Sequence, residues 1–594
     1  MCGVGGVFTR AVEGPSEAVL DALAEALAHR GPDGRGRYRA RGLGLVHTRL
    51  AVIDLQTGDQ PIIEAGARAG GAAIIANAEI YNYLELREQL DGIAFATASD
   101  CEPPLHLYRR HGLDFTHALR GMYALAIHDP AANALVLARD PFGIKPLYYV
   151  ERAGYFAFAS EPRALLAAGL AERAVDAGAR DETLQLQFST GRDTAFRDIK
   201  RVLPGETIVV SDGRIIDRRR LAALPEGGPV AIEEGAALAG LDAMLEETVR
   251  HHQRADVPFG LFFSGGIDST VVLAVMARLN DRPVRAYTAA FPGTGVADER
   301  DQARSLARAL GAEHVEVEVT EDAFWRSLPA IAAAVDDACA DYAVVPSFEL
   351  ARVAARDLKV VLCGEGGDEI LAGYGRYRSV LRPRLLGGRG MRMRGMLDGL
   401  DLLRGPPAAW RDGIVAAEAT AALPGRSRLQ VAQASDCADW LPNDLLVKLD
   451  RCLMAHGLEG RTPFLDRPFA EFAFRLPDRL KIRHGRGKWL LRRWLESHLP
   501  AAHPFARKRG FTVPVAEWIA RQGDRLGPLV AAQPGIAELC RPDAVQALFR
   551  RPGKRPGFAA WTLLFHALWH GIHIQGLETE GDVFEVLAAS ARGD

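Results

Sequence analysis

The sequence predicts two units of different class in one chain: an α+β unit in which sheet packs on sheet with helices outside, then an α/β unit with a doubly wound parallel sheet and helices towards its C-terminus. Three observations predict this. Up to about residue 215, alternating or apolar runs separated by turn signals outnumber helical patterns. From about residue 231, apolar strand-like runs alternate with helical ones, the pattern of parallel βαβ crossovers. Between them Arg218-Arg219-Arg220, Pro225 and Gly227-Gly228-Pro229 interrupt both patterns, which places domains at 2–215 and 231–594 with a linker at 216–230. A chain of 594 residues also exceeds what one hydrophobic core holds.

Composition narrows the function. Apolar residues at 48% and charged residues at 25% are those of a soluble globular protein. A net charge of −3 and a pI near 6.6 argue against a nucleic-acid or membrane-surface partner. No run of 18 or more apolar residues is present. Seven scattered cysteines without a CxxC pair form neither a disulfide framework nor a zinc site. With no signal-peptide pattern at the start, a reducing cytoplasm is expected.

In the first half, residues 3–8 read as a buried strand of small residues. Val19, Leu20, Leu23 and Leu27 predict a helix over 16–27, stopped by His29-Arg30-Gly31-Pro32-Asp33-Gly34. Strands are predicted at 42–47, 50–55, 72–76, 123–128, 134–138, 147–150 and 155–159. The chemistry starts at Cys2. Removal of Met1, usual before a small side chain, would put a thiol and a free α-amine on one residue. That amine, with an ordinary pKa of about 7.7–8.0, can take the thiol proton and make a nucleophile with its base built in. Polar residues then interrupt strands where a core prefers apolar ones. Arg49 suits bidentate capture of a carboxylate. Asn77 and Glu79 fall at a strand end, and Asp100 could hold an ammonium group.

In the second half a helix is predicted over 232–251. Strands follow at 257–263, 284–290, 314–319 and 359–363, with helices at 271–279, 298–310 and 347–357. Ligands of such sheets bind at the carboxyl ends of the strands. Ser264-Gly265-Gly266-Ile267-Asp268-Ser269-Thr270 falls there. Its glycines let backbone N–H groups close on an anion at a helix start, and Asp268 can position Mg²⁺. Cys363-Gly364-Glu365-Gly366-Gly367-Asp368-Glu369 repeats the arrangement with three acids. Gly487-Lys488 enters a helix at 489–495, where Lys488 could neutralise departing pyrophosphate. The aromatic tail at 557–574 reads as a core helix, and the arginines of 376–404 as a solvated loop.

Cys-Gly at position 2, HRGPD, RLxxxD, NxEIYN, SDxE, GMYA and RDxxGxKPLYY, in this order, resemble the class II glutamine amidotransferase domain. The resemblance implies a four-layer αββα N-terminal-nucleophile fold. It implies Cys2 as nucleophile, Asn77 and the N–H of Ala78 as oxyanion hole, and Arg49, Ile53, Asn77, Glu79 and Asp100 as glutamine-binding residues. Ala78 stands where that family usually has glycine. If the position needs φ > 0, strain of roughly 1–2 kcal/mol would slow the reaction.

SGGIDS, GEGGDE, residues 448–466, Gly487-Lys488 and residues 508–514 run in the order of the glutamine-hydrolysing asparagine synthetases, with their PP-loop ATP-pyrophosphatase domain. That resemblance implies activation of aspartate by ATP as a β-aspartyl-adenylate, with ammonia crossing inside the protein to displace AMP. Phe263, Ser264, Gly265, Gly266, Asp268, Ser269, Ala289, Cys363 and Gly364 would bind ATP. Asp268 and Asp368 would hold Mg²⁺, Lys488 the pyrophosphate, and Glu365 would be the acid/base. The implied partners are small molecules only, glutamine, ATP and aspartate or another carboxylate, with a homodimer possible. Cys363 replaces the usual serine, Gly460 an apolar residue, and residues 336–347 only loosely resemble the expected acceptor region.

Overall fold

The structure, a computed structural model, describes residues 2–64, 70–296, 300–383, 385, 388–407, 409–506 and 513–592. The first twelve strands are β1 (Gly3–Thr9), β2 (Gly34–Ala40), β3 (Leu43–Arg49), β4 (Ile62–Ile63), β5 (Ala73–Ile80), β6 (Gly121–Asp129), β7 (Ala134–Arg139), β8 (Tyr148–Arg152), β9 (Tyr155–Ala159), β10 (Lys200–Arg201), β11 (Glu206–Ser211) and β12 (Arg214–Arg220). They form two antiparallel sheets, ordered β10-β8-β9-β1-β3-β2 and β12-β11-β7-β6-β5-β4. Val4, Phe8, Leu43 and Leu45 of the first meet Ile75, Ala124, Leu135 and Ile208 of the second. The period-2 alternation of a strand makes this two-sided burial possible. Leu20 and Leu23 of the helix Glu17–Ala26, capped by Ser16 Oγ, cover the outer face of the first sheet with Val7 and Val46. Leu86, Leu105 and Phe115 cover the second. The result is the expected αββα layering.

Two expectations change here. Residues 50–55 form no strand, because side chains take up their backbone bonds: Ala51 N donates to Asp33 Oδ2 and Asp54 N to Asp256 Oδ2, both at 2.8 Å, and Asp54 turns at φ 55°. The edge strand β12 runs on to Arg220, pairing Glu206 with Arg220, so the sheet takes in residues expected in the linker.

The last five strands are β13 (Phe259–Phe262), β14 (Arg285–Ala290), β15 (Glu313–Glu318), β16 (Val360–Leu362) and β17 (Glu459–Arg461). They form one parallel sheet in the order β15-β14-β13-β16-β17. β17 carries two charges in three residues, so its apolar signal is nil and the sequence reading has no strand there. The helix expected at 298–310 is described as Arg300–Ala309, and Asp298 lies outside the described residues. Of the motif at 508–514 only Val513 and Pro514 are described. The tail helix Lys554–His570 buries Trp561, Phe565 and Trp569. Its indoles brace the segment after residue 335: Trp569 Nε1 donates to Asp336 O and Trp561 Nε1 to Ala340 O. The arginines of 376–404 are not uniformly solvated. Arg382, Arg389, Arg394 and Arg404 are exposed, but Arg376 and Arg392 turn inward onto the Trp440 ring, 4.0 and 4.7 Å from its centroid. Among the described residues, no helix is long and apolar enough to cross a membrane.

Candidate active sites

Cys2 lies just ahead of β1, buried. Its N–H donates to Asn77 Oδ1 at 3.0 Å, its Sγ is 3.9 Å from Leu50 O, and its carbonyl accepts from Arg30 Nε at 3.1 Å. Asn77 Nδ2, on the same amide, is buried with no hydrogen-bond partner among the described residues. A buried donor left so costs about 1–3 kcal/mol, and such exceptions mark places kept ready for another group. Ala78 sits inside β5 opposite Tyr123 with φ outside the left-handed region, so its methyl carries none of the strain weighed above. Burial pushes the Cys2 thiol above its ordinary value. A resting thiol therefore needs a local base to become the thiolate that attacks.

The other expected glutamine residues gather around this centre. Arg49 ends β3, beside β1, where Gly3 pairs with Thr48. Its Nη1 is 2.8 Å from Asp59 Oδ1, and Nη2 donates to the carbonyls of Ile53 and Asp54. Asp100 Oδ2 accepts from Ile80 N at 2.8 Å, at the end of β5. Burial, with Glu459 adding, pushes Asp100 up to about 6. Glu79 is buried and pairs with Arg461 Nη2 at 2.7 Å.

The second centre lies at the carboxyl ends of β13, β14 and β16. Gly265 takes φ +68°, and Gly266 caps the helix Ile267–Leu279, so Asp268 falls in its first turn. Ser264 Oγ and Ser269 Oγ bond at 3.2 Å across the loop. The acidic loop packs directly on it: a Cβ on Gly367 would lie 2.6 Å from Asp268 Oδ1, and one on Gly364 3.1 Å from Asp268 Cβ. Lys488 reaches between the two loops and pairs with both Asp268 and Asp368, the latter at 2.6 Å. Burial pulls its ammonium down, and the two carboxylates more than restore it.

Phe263, Ser264, Asp268, Ser269, Ala289, Gly364, Glu365 and Asp368 line a cavity of about 300 Å³. Gly265, Gly266 and Lys488 line the adjoining cleft, which shares Ser264, Asp268 and Asp368. Cys363 lines neither. Its side chain is buried in the apolar core, and its N–H donates to Arg461 O at 2.8 Å. Among the described residues no group of three or more His, Cys, Asp or Glu is arranged to hold a metal ion by itself. Two carboxylates converging beside a phosphate loop do fit Mg²⁺, which takes one or two carboxylates and completes its shell with phosphate oxygens and water.

Residues 336–347 divide. Asp337 faces the first domain, pairing with Arg201 and with Tyr148 Oη, and Asp336 bridges the two halves: its Oδ1 accepts from Arg451 Nε at 2.7 Å and its Oδ2 from Arg163 N at 2.9 Å. Asp341 instead pairs with Lys448 at 3.1 Å, and Lys448 lines the cavity near Glu365. Burial pushes Glu365 up, against the pull of Lys448. Sequence reasoning missed Lys448, Asp341, Arg30, Asp450, Glu459 and Arg461. Lys448, Asp450, Glu459 and Arg461 lay inside the quoted motif at 448–466 and Arg30 inside HRGPD, where charges buried beside apolar neighbours were the available signal.

A buried cysteine beside an amide with an unused donor, and a phosphate loop clamped by lysine over an acidic loop, define a glutamine-dependent amidotransferase joined to a ligase. Known proteins agree. The model of the glutamine amidotransferase domain matches residues 1–220, and that of asparagine synthase residues 240–571. Asparagine synthetase (glutamine-hydrolyzing) 1 of Bacillus subtilis is 30% identical over 97% of each chain. Asparagine synthetase B (glutamine-hydrolyzing) of Escherichia coli is 27% identical over 94% of this chain and 88% of that one. Amidase chyE of Penicillium rubens is 32% identical over 61% of this chain and 56% of that one. The chain belongs to the asparagine synthase family.

Proposed function

We propose that this protein makes asparagine from aspartate, ATP and glutamine, through a β-aspartyl-adenylate, with release of AMP and pyrophosphate. The Cys2–Asn77 pair carries the reading, because it keeps the nitrogen-releasing half complete beside the nucleotide site. With Met1 removed, the Cys2 α-amine takes the thiol proton. The thiolate attacks the glutamine carboxamide carbon, and Asn77 Nδ2 with the Ala78 N–H receives the oxyanion. Ammonia leaves, and water releases glutamate from the thioester. Arg49, beside the Ile53 carbonyl, takes the substrate carboxylate, Asp100 its ammonium, and Glu79 orients it.

In the second site an aspartate β-carboxylate oxygen attacks the α-phosphorus of ATP and pyrophosphate leaves. The Ser264–Ser269 loop and Lys488 receive its charge. Asp268 and Asp368 would hold Mg²⁺, which when bound screens the phosphate oxygens. Ammonia arriving inside the protein attacks the acyl carbon, AMP departs, and Glu365 takes the extra proton, a role worth typically 10²–10⁴ in rate. Gly460, unusual in the family, fits its place: a Cβ there would lie 2.9 Å from Leu453 Cδ2. A cytoplasmic homodimer is the proposed setting, checked by light scattering of the purified chain.

The test follows AMP, pyrophosphate and amino acids after mixing ATP, glutamine and aspartate. Asparagine in step with AMP supports the reading. Glutamate release without aspartate-dependent pyrophosphate would mean that another carboxylate is the acceptor.

A further inference from the structure

The parallel sheet reaches into the glutamine pocket. Its edge strand β17 has three residues, and Glu459 and Arg461 are charges with no solvent exposure. Leu362 pairs with Arg461 in the register of β16 and β17, and Arg461 O accepts from Cys363 N, the residue before Gly364-Glu365. The backbone of Arg461 is thus part of the nucleotide site's frame. Its side chain leaves for the other domain. Nη1 donates to the carbonyls of His252 and Arg254 at 2.9 and 2.7 Å, Nε to Glu459 Oε1 at 2.6 Å, and Nη2 to Glu79 Oε2 at 2.7 Å. Among the described residues, Arg461 is the one ion-pair partner of Glu79.

We propose that Arg461 is a positioning residue of the glutaminase, supplied by the synthetase sheet, which holds and orients Glu79 so that the glutamine pocket is complete only with β17 docked. The inference rests on the reading of Glu79 as a glutamine-binding residue. The groups facing Glu79 come from several elements: Arg461 and Glu459 of β17, Asp100 and Cys101 before the helix Pro103–His111, Tyr81 beyond β5, Lys145 before β8, and Cys2. Burial, with Glu459 and Asp100 adding, raises Glu79 well above the ordinary carboxylate range even though Arg461 opposes it as the largest counter-charge. Arg461 and Lys145 oppose the burial of Glu459. Without the guanidinium Glu79 loses the ion pair that fixes it, and a buried carboxyl without that partner is no longer held in place for the substrate.

The experiment measures glutamate release from glutamine by the full chain, without ATP or acceptor, from about pH 6 to 9. Arg461→Met, Arg461→Lys, Glu79→Gln and the double variant are compared with the parent. We expect Arg461→Met to raise the glutamine KM about ten-fold or more near neutrality, with a smaller change in kcat. Arg461→Lys should recover most of the affinity. Glu79→Gln should raise KM as well, and the double variant should match Glu79→Gln alone. AMP formation with ammonia as nitrogen source reports whether each variant is folded. An unchanged KM in Arg461→Met, additive losses in the double variant, or a parallel fall of ammonia-supported activity would each overturn the proposal. A parent chain that releases no glutamate would instead overturn the glutamine reading itself.

Discussion

Asn77 divides one amide: its oxygen fixes the Cys2 backbone, and its nitrogen, without a partner among the described residues, is the donor the proposed oxyanion hole needs. Asn77→Ala should therefore lower kcat for glutamate release by roughly 10²–10³, while ammonia-supported synthesis persists. Coupled assays with each nitrogen source check this. Asp100 gives the pH behaviour. A carboxyl raised to about 6 is ionised above that value and neutral below it, so its grip on the substrate ammonium weakens as pH falls. The kcat/KM for glutamine should decline through about pH 6, since that ratio reports the free enzyme. A profile flat from pH 5 to about 7 would sink the assignment. Cys2 was legible from its place behind Met1, and Asn77 and Asp100 as polar residues set in an ordered series of motifs. Arg461 was not, because its partner Glu79 lies 382 residues away in sequence, and Glu459 is placed there as the neighbour of Arg461.

The two glycine loops succeed or fail by the closeness of their backbones. Gly367 leaves room for Asp268 where a methyl would stand 2.6 Å from a carboxylate oxygen. Gly367→Ala should displace Asp268 and abolish ATP-dependent pyrophosphate release, yet leave glutamate release near the parent value. Pyrophosphate and glutamate assays on one preparation separate these outcomes. The strand–turn–helix alternation made this half readable, since period and glycine placement are local. Residues 50–55 misled because the rule for a strand assumes a neighbouring strand, whereas carboxylates of Asp33 and Asp256 serve its N–H groups instead. β17 escaped because a three-residue edge strand is chosen by its place, between β16 and the first domain, and not by its own hydrophobicity.

Across the whole molecule, charges with no exposure bind the halves. Arg30, which grips the Cys2 carbonyl, forks onto both oxygens of Asp450 at 2.8 and 3.0 Å and also meets Glu161. Two residues before Asp450, on the helix Leu446–Met454, Lys448 faces the ATP cavity. Asp450→Ala would leave a guanidinium buried without its main counter-charge, a loss of about 3–5 kcal/mol. Thermal denaturation should show it as a lowered midpoint.

The connector between Arg220 and Glu234 carries none of these bonds. A protease that nicks it should therefore change the pattern on a denaturing gel and little else. The two fragments should sediment together and keep both activities, while either piece expressed alone would come out of the cell as precipitate.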